Sequence, residues 1–133
     1  MIASHGEFAE AGLRAASMIM GSIPDNFHVL SVYDEGNGID EFEKDACALA
    51  NELGEKPVLI LTDIFGGSPF MILLSAFRSN EYKVISGFNL PMLIEAMSRS
   101  AENLSLDEMS GKVIESGKEN GIRLIDKIQS EGR

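Results

Sequence analysis

Two short stretches carry most of the chemistry in this sequence. One is Ser4-His5-Gly6 near the start, and the other is Asp63-Ile64-Phe65-Gly66-Gly67-Ser68-Pro69 in the middle. A carboxylate beside an imidazole accepts the proton of one ring nitrogen, fixes the tautomer and leaves the other nitrogen with a lone pair. It also stabilises the cationic character that the ring gains when an electrophile attaches, which is what a nucleophilic histidine requires. Ser68 followed by Pro69 reads as a helix start, a side-chain cap and then a proline whose fixed φ suits the first turn. The amides of that turn, with those of Gly66 and Gly67, would point at an anion held near the imidazole. A helix starting just after His5 and Gly6 offers a second such terminus. No Lys or Arg occurs between Arg14 and Lys44 or between Lys56 and Arg78. An anion here would therefore rely on backbone dipoles and serine hydroxyls, and a phosphoryl group on the histidine fits those terms.

Such a site needs elements that bring His5 and Asp63 together. Residues 1–3 read as the tail of a strand. Residues 7–20 are helical, with Phe8, Ala9, Leu13, Ala16 and Met20 recurring on one face before Gly21. A second strand is expected at 27–33, a turn-rich loop at 34–38, and a helix over 39–53 built on Phe42, Ala46, Leu49, Ala50 and Leu53. The apolar run 57–63 has the pattern of a central parallel strand covered on both faces. Helices at 69–78 and 90–98 flank a strand at 82–87. Ser105 and Glu108 form a capping box that opens a helix ending near Gly117. The tail 121–126 reads either as a short fifth strand or as a last helical turn.

This alternation predicts an α/β fold, a flavodoxin-like three-layer sandwich with parallel strand order 2-1-3-4 and a candidate antiparallel C-terminal edge strand. In that order the ends of the first and third strands meet at the topological switch point, where open sheets place their sites. His5 and Asp63 are then expected to face one another there.

The 133 residues make one domain, 1–133, large enough to bury its own core. Eleven basic against 21 acidic residues give a net charge of −10, which argues against nucleic acid and anionic membrane as partners. No apolar run is long enough to cross a bilayer and nothing reads as a signal peptide, so a cytoplasmic location is expected. Cys47 is the one cysteine, consistent with a reducing compartment, and its apolar neighbours predict a buried core position. A histidine at a strand end is more often a structural hydrogen-bonder, and Gly-Gly-Ser-Pro is more often a simple turn and cap. His28, in the second strand, is read as structural. What favours a site at His5 is convergence of histidine, carboxylate and helix termini at one place. A non-enzymatic anion-binding module is the competing class. A receiver domain would need an acidic pair where Ser4-His5 stands, and a nucleotide-binding module would need a glycine-rich phosphate turn after the first strand.

The segments SHGEFAEAG (4–12), LTDIFGGSPF (61–70) and VISGFNLPMLIEA (84–96) together resemble the IIA component of the mannose family of the bacterial sugar phosphotransferase system. The resemblance covers most of the chain, in order, and its D-x-x-G-G-S-P segment is specific. It implies that His5 accepts a phosphoryl group from the phosphocarrier HPr and passes it to a IIB component. Asp63 would be the hydrogen-bonding partner of His5, and no metal or cofactor is expected. It also implies a homodimer in which an antiparallel C-terminal strand, here 121–126, is exchanged between subunits. A membrane IIC/IID permease would act downstream. A related phosphotransfer subunit of the dihydroxyacetone kinase system remains an alternative. Relatives carry a fuller apolar strand before the Ser-His-Gly, whereas this chain reaches it directly after Met1-Ile2-Ala3.

Overall fold

A computed structural model describes residues 1–33 and 38–125. The element order is β1 (Ile2–His5), α1 (Phe8–Met20), β2 (Val29–Val32), α2 (Gly38–Leu53), β3 (Val58–Thr62), α3 (Ser68–Ala76), β4 (Tyr82–Ser86), α4 (Leu90–Ser98) and α5 (Leu106–Gly121). All strand pairings are parallel and the order is β2-β1-β3-β4, as the alternating pattern requires. In register, Ile2 lies between Val29 and Leu61, and Ala3 between Leu30 and Thr62.

Period-two alternation along the strands divides the core into two layers. Ile2 and Leu61 face one side, where Leu13, Phe88, Leu93 and Val113 of α1, α4 and α5 and their connections cover them. Ala3 and Ile60 face the other, packed against Phe42 and Ala46 of α2 and Leu73 of α3. Because both faces are covered, the central strands read as continuous apolar runs. Among the described residues no helix is long and apolar enough to cross a membrane.

Several expectations shift at element ends. β2 is shorter than 27–33, because its one ladder partner, β1, pairs with it only from Ile2↔Val29 upward. The loop expected at 34–38 falls outside the described residues except for Gly38, which opens α2. Cys47 is exposed rather than buried. The buried stripe of α2 is Phe42, Ala46, Leu49 and Ala50, and one residue beyond Ala46 rotates Cys47 about 100° toward solvent. Helix α5 runs past Gly117 to Gly121. Gly117 serves not as a stop but as a close-approach point, since a Cβ there would collide with the Met92 side chain of α4. The Ser105–Glu108 capping box forms as expected, with both of its reciprocal hydrogen bonds. Residues 122–125 form neither strand nor helix, and 126 lies outside the described residues.

Ile60 has no exposed surface and stands at the centre of the sheet. Ile60→Ala should lower the unfolding free energy by about 3 kcal/mol in urea titration. A loss below about 1 kcal/mol would contradict this account of the α2/α3 layer.

Candidate active site at the switch point

The parallel order leaves the C-terminal ends of β1 and β3 adjacent, and His5 and Asp63 stand there. His5 is the last residue of β1, and Asp63 follows the last residue of β3. His5 Nδ1 and Asp63 Oδ2 are 2.8 Å apart. The same Oδ2 accepts the backbone N–H of His5 at 2.9 Å, while Oδ1 accepts the N–H of Ile64 at 2.9 Å. One carboxylate thus grips both the main chain and the ring of a single histidine.

Burial opposes the charge on Asp63. The hydrogen bonds from His5, the charge of that ring and the bond from Ile64 together outweigh it, so the carboxyl lies below its usual 3.8. Asp63 is therefore ionised at neutral pH and has no proton to give, which assigns the hydrogen in the short bond to Nδ1. In its neutral form the ring then carries its lone pair on Nε2. The His5 side chain is 37% exposed and that of Asp63 14%, so the ring is approachable while its anchor is covered.

The loop after β3 brings a helix terminus to the ring. Gly66 turns the chain with φ +79, a left-handed conformation that favours glycine. Gly67 follows at the N-cap of α3 in extended geometry, with φ −70 and ψ 171. Its requirement is space. A Cβ there would lie 2.9 Å from His5 Cε1, 2.9 Å from Ile64 Cγ2 and 3.6 Å from His5 Nε2. The first turn of α3 therefore starts against the Cε1–Nε2 edge of the imidazole, where the positive end of its dipole favours negative charge. This alters the expected role of Ser68. Gly67 occupies the cap position without a side-chain cap bond, and Ser68 is the first helical residue, ahead of Pro69.

The other expected terminus is different. The Gly6 amide donates to Val32 O at 2.7 Å, closing β1 onto β2 instead of facing a ligand. The Ala9 amide, in the first turn of α1, donates to the buried Ser4 Oγ at 2.7 Å. Ser4 gave no sequence signal as a functional residue, because a serine five positions before the amide that it caps lies outside the usual capping spacing. His28 stands just before β2, its carbonyl accepting the Ile2 N–H at 2.8 Å, consistent with its structural reading.

With a folded pKa below the ordinary one, the hydrogen bonds of Asp63 contribute fully above that value. Their contribution is lost as pH falls through the folded pKa. Carbon NMR of the Asp63 carboxyl should show a titration midpoint below 3.8. A midpoint at or above that value would contradict the three-bond clamp.

The comparisons bear on the family and the fold. A family model described as "PTS system fructose IIA component" matches residues 1–114. The chain is 34% identical over 126 residues to the "PTS system mannose-specific EIIAB component" of Escherichia coli (strain K12), covering 94% of this chain and 38% of that protein. It thus spans less than half the length of that relative. It is 33% identical over 111 residues to the "PTS system fructose-specific EIIA component" of Bacillus subtilis (strain 168), covering 82% and 74% of the two chains. Among solved structures, the mannose/sorbose specific IIA subunit of the phosphotransferase system from Enterococcus faecalis superposes with a TM-score of 0.78 at 29% identity. That alignment covers 96% of this chain and 94% of the other. The PTS IIA protein associated with the fucose utilization operon of Streptococcus pneumoniae gives 0.71 at 32% identity, with 86% and 87% covered. With the sheet order and these matches in agreement, the chain belongs to the mannose/fructose IIA family of the phosphotransferase system.

Proposed function

We propose that this chain is a phosphocarrier of sugar uptake that accepts a phosphoryl group on His5 Nε2 from phospho-HPr and passes it to a IIB component. The observation that carries this reading is the 2.8 Å contact of His5 Nδ1 with Asp63, made while the N-cap of α3 abuts the Nε2 edge. The transfer is a displacement between two imidazoles. The Nε2 lone pair forms a bond to phosphorus as the donor's N–P bond breaks, and that electron pair leaves on the donor ring. Nδ1 keeps its proton throughout, and Asp63 balances the positive character that develops on the His5 ring. The return step, to IIB, runs the same bond changes with His5 as leaving group.

The transition state is loose, with charge spread over three equatorial oxygens, so positioning and fixed dipoles contribute more than covalent help. The α3 terminus, through Gly66, Gly67 and Ser68, supplies those dipoles. Gly6 contributes by shaping the turn after His5, since its own amide is committed to Val32. Nothing in this scheme calls for a metal, because a phosphoramidate lacks the polyphosphate charge that Mg²⁺ neutralises in nucleotide kinases.

Partners must bring their own histidine or cysteine to this edge, so a docking surface should surround it. Phe8, Ile64, Phe65 and Met71 are between 55 and 76% exposed and belong to the segments that frame the site, which suits a transient apolar contact. Met92, by contrast, is buried and belongs to the core. The exposed Ile122, Leu124 and Ile125 after α5 support a homodimer in which a second copy covers this tail. A cytoplasmic setting beside a IIC/IID permease completes the proposal.

Incubation with radiolabelled phosphoenolpyruvate, enzyme I and HPr should give acid-labile, base-stable label on the wild-type chain and none on His5→Ala. Asp63→Asn should remain folded and accept phosphate about tenfold more slowly or worse. Label persisting on the His5→Ala protein would overturn the proposal, and wild-type kinetics in Asp63→Asn would remove the role of the carboxylate.

A further inference from the structure

The turn that carries His5 is held by consecutive residues, each through a different element. His5 N–H goes to Asp63 Oδ2 beyond β3, and Gly6 N–H goes to Val32 O at the end of β2. Ser4, fully buried, accepts the Ala9 N–H of α1 on its Oγ at 2.7 Å. Alternation along β1 places the Ser4 side chain on the face of the sheet opposite that of His5, so it touches neither the ring nor a bound phosphoryl group. Among the described residues no other side chain caps helix α1. Glu7 occupies its N-cap position with φ −92 and ψ 8 and makes no capping bond.

From these contacts we infer that Ser4 is a positioning residue for phosphoryl transfer at His5, acting through the first turn of α1. Its bond has two consequences. It ties the start of α1 to β1 across the His5-Gly6-Glu7 turn, so the Cα–Cβ direction of His5 is set from the α1 side as well as from β2 and β3. It also occupies the Ala9 amide. The α1 terminus is left with fewer donors for an anion, and the phosphoryl charge is directed to the α3 terminus, against which Nε2 already lies. Removing the Oγ acceptor leaves a buried amide unsatisfied and loosens the turn on one of its sides. A near-attack geometry is sensitive to such loosening, because displacement of a reacting group by about 1 Å lowers rates by up to about a hundredfold.

The inference rests on His5 being the phosphoryl acceptor, and one series of variants separates the two claims. Wild-type, Ser4→Thr and Ser4→Val chains are compared for transfer from phospho-HPr, well below their melting temperatures. Thr and Val are nearly isosteric, and only Thr keeps the acceptor. Ser4→Val should reduce the maximal transfer rate about tenfold with little change in the half-saturating concentration of phospho-HPr. Ser4→Thr should stay within about twofold of wild type. If Ser4→Val does not fold, Ser4→Ala, which adds no volume, is compared with Ser4→Thr instead. An acceptor-free variant that transfers at the wild-type rate, or a Thr variant as slow as Val, overturns the positioning role. Absence of label on wild-type His5 would instead overturn the functional reading itself.

Discussion

Asp63 Oδ2 accepts two hydrogen bonds from one residue, the backbone N–H and the Nδ1–H of His5, and the site depends on that pairing. A carboxylate holding only the ring would leave the side chain free to swing about its own backbone. Holding both atoms fixes the ring relative to β1, and Oδ1, bonded to Ile64 N–H, fixes the carboxylate relative to the following loop. The pairing is a direct product of sheet topology. With β1 between β2 and β3, no element separates the two strand ends, and residues 58 positions apart in sequence meet at 2.8 Å. A different strand order would leave His5 and Asp63 on separate strands with no contact.

Electrostatics follow from the same arrangement. No Lys or Arg lies in either segment that builds the site, in a chain carrying −10 overall. An anion on Nε2 therefore meets the α3 terminus and the cationic character of the ring itself, both of them modest. That suits the proposed carrier role, in which the phosphoryl group must be released as readily as it is taken. A site lined with arginines would hold the group too firmly. The choice of tautomer also depends on Asp63, because an ionised carboxylate holds the proton on Nδ1 and leaves the lone pair of the neutral ring on Nε2.

The sequence displayed the parts of the site that depend on residue type and chain order. The alternating apolar runs set the sheet order, and the sheet order brought His5 opposite Asp63. A helix whose cap follows short-range rules was visible too, the one opened by Ser105 with Glu108. What stayed hidden depends on tertiary approach. Gly67, not Ser68, is the cap of α3, because the chain must pass within van der Waals range of the imidazole before the helix begins. Gly117 is a packing position although glycine commonly ends helices, since only the neighbouring α4 reveals the contact with Met92. Cys47 sits among apolar residues yet faces solvent, a matter of 100° of helical phase that composition does not carry. Ser4 is the clearest instance. Its partner Ala9 lies outside local capping spacing, and its burial follows from the α1 layer rather than from its neighbours in sequence.

In the proposed mechanism Asp63 commits Nδ1 and so directs phosphorus to the opposite nitrogen. Phosphorus–nitrogen coupling in the phosphorylated chain, labelled with ¹⁵N in the histidine ring, tests it most directly. A one-bond coupling to Nε2 of His5 is expected, with Nδ1 still protonated and bonded to Asp63. Phosphorus bonded to Nδ1 would contradict it, because that atom would first have to give up the hydrogen bond on which the site is built.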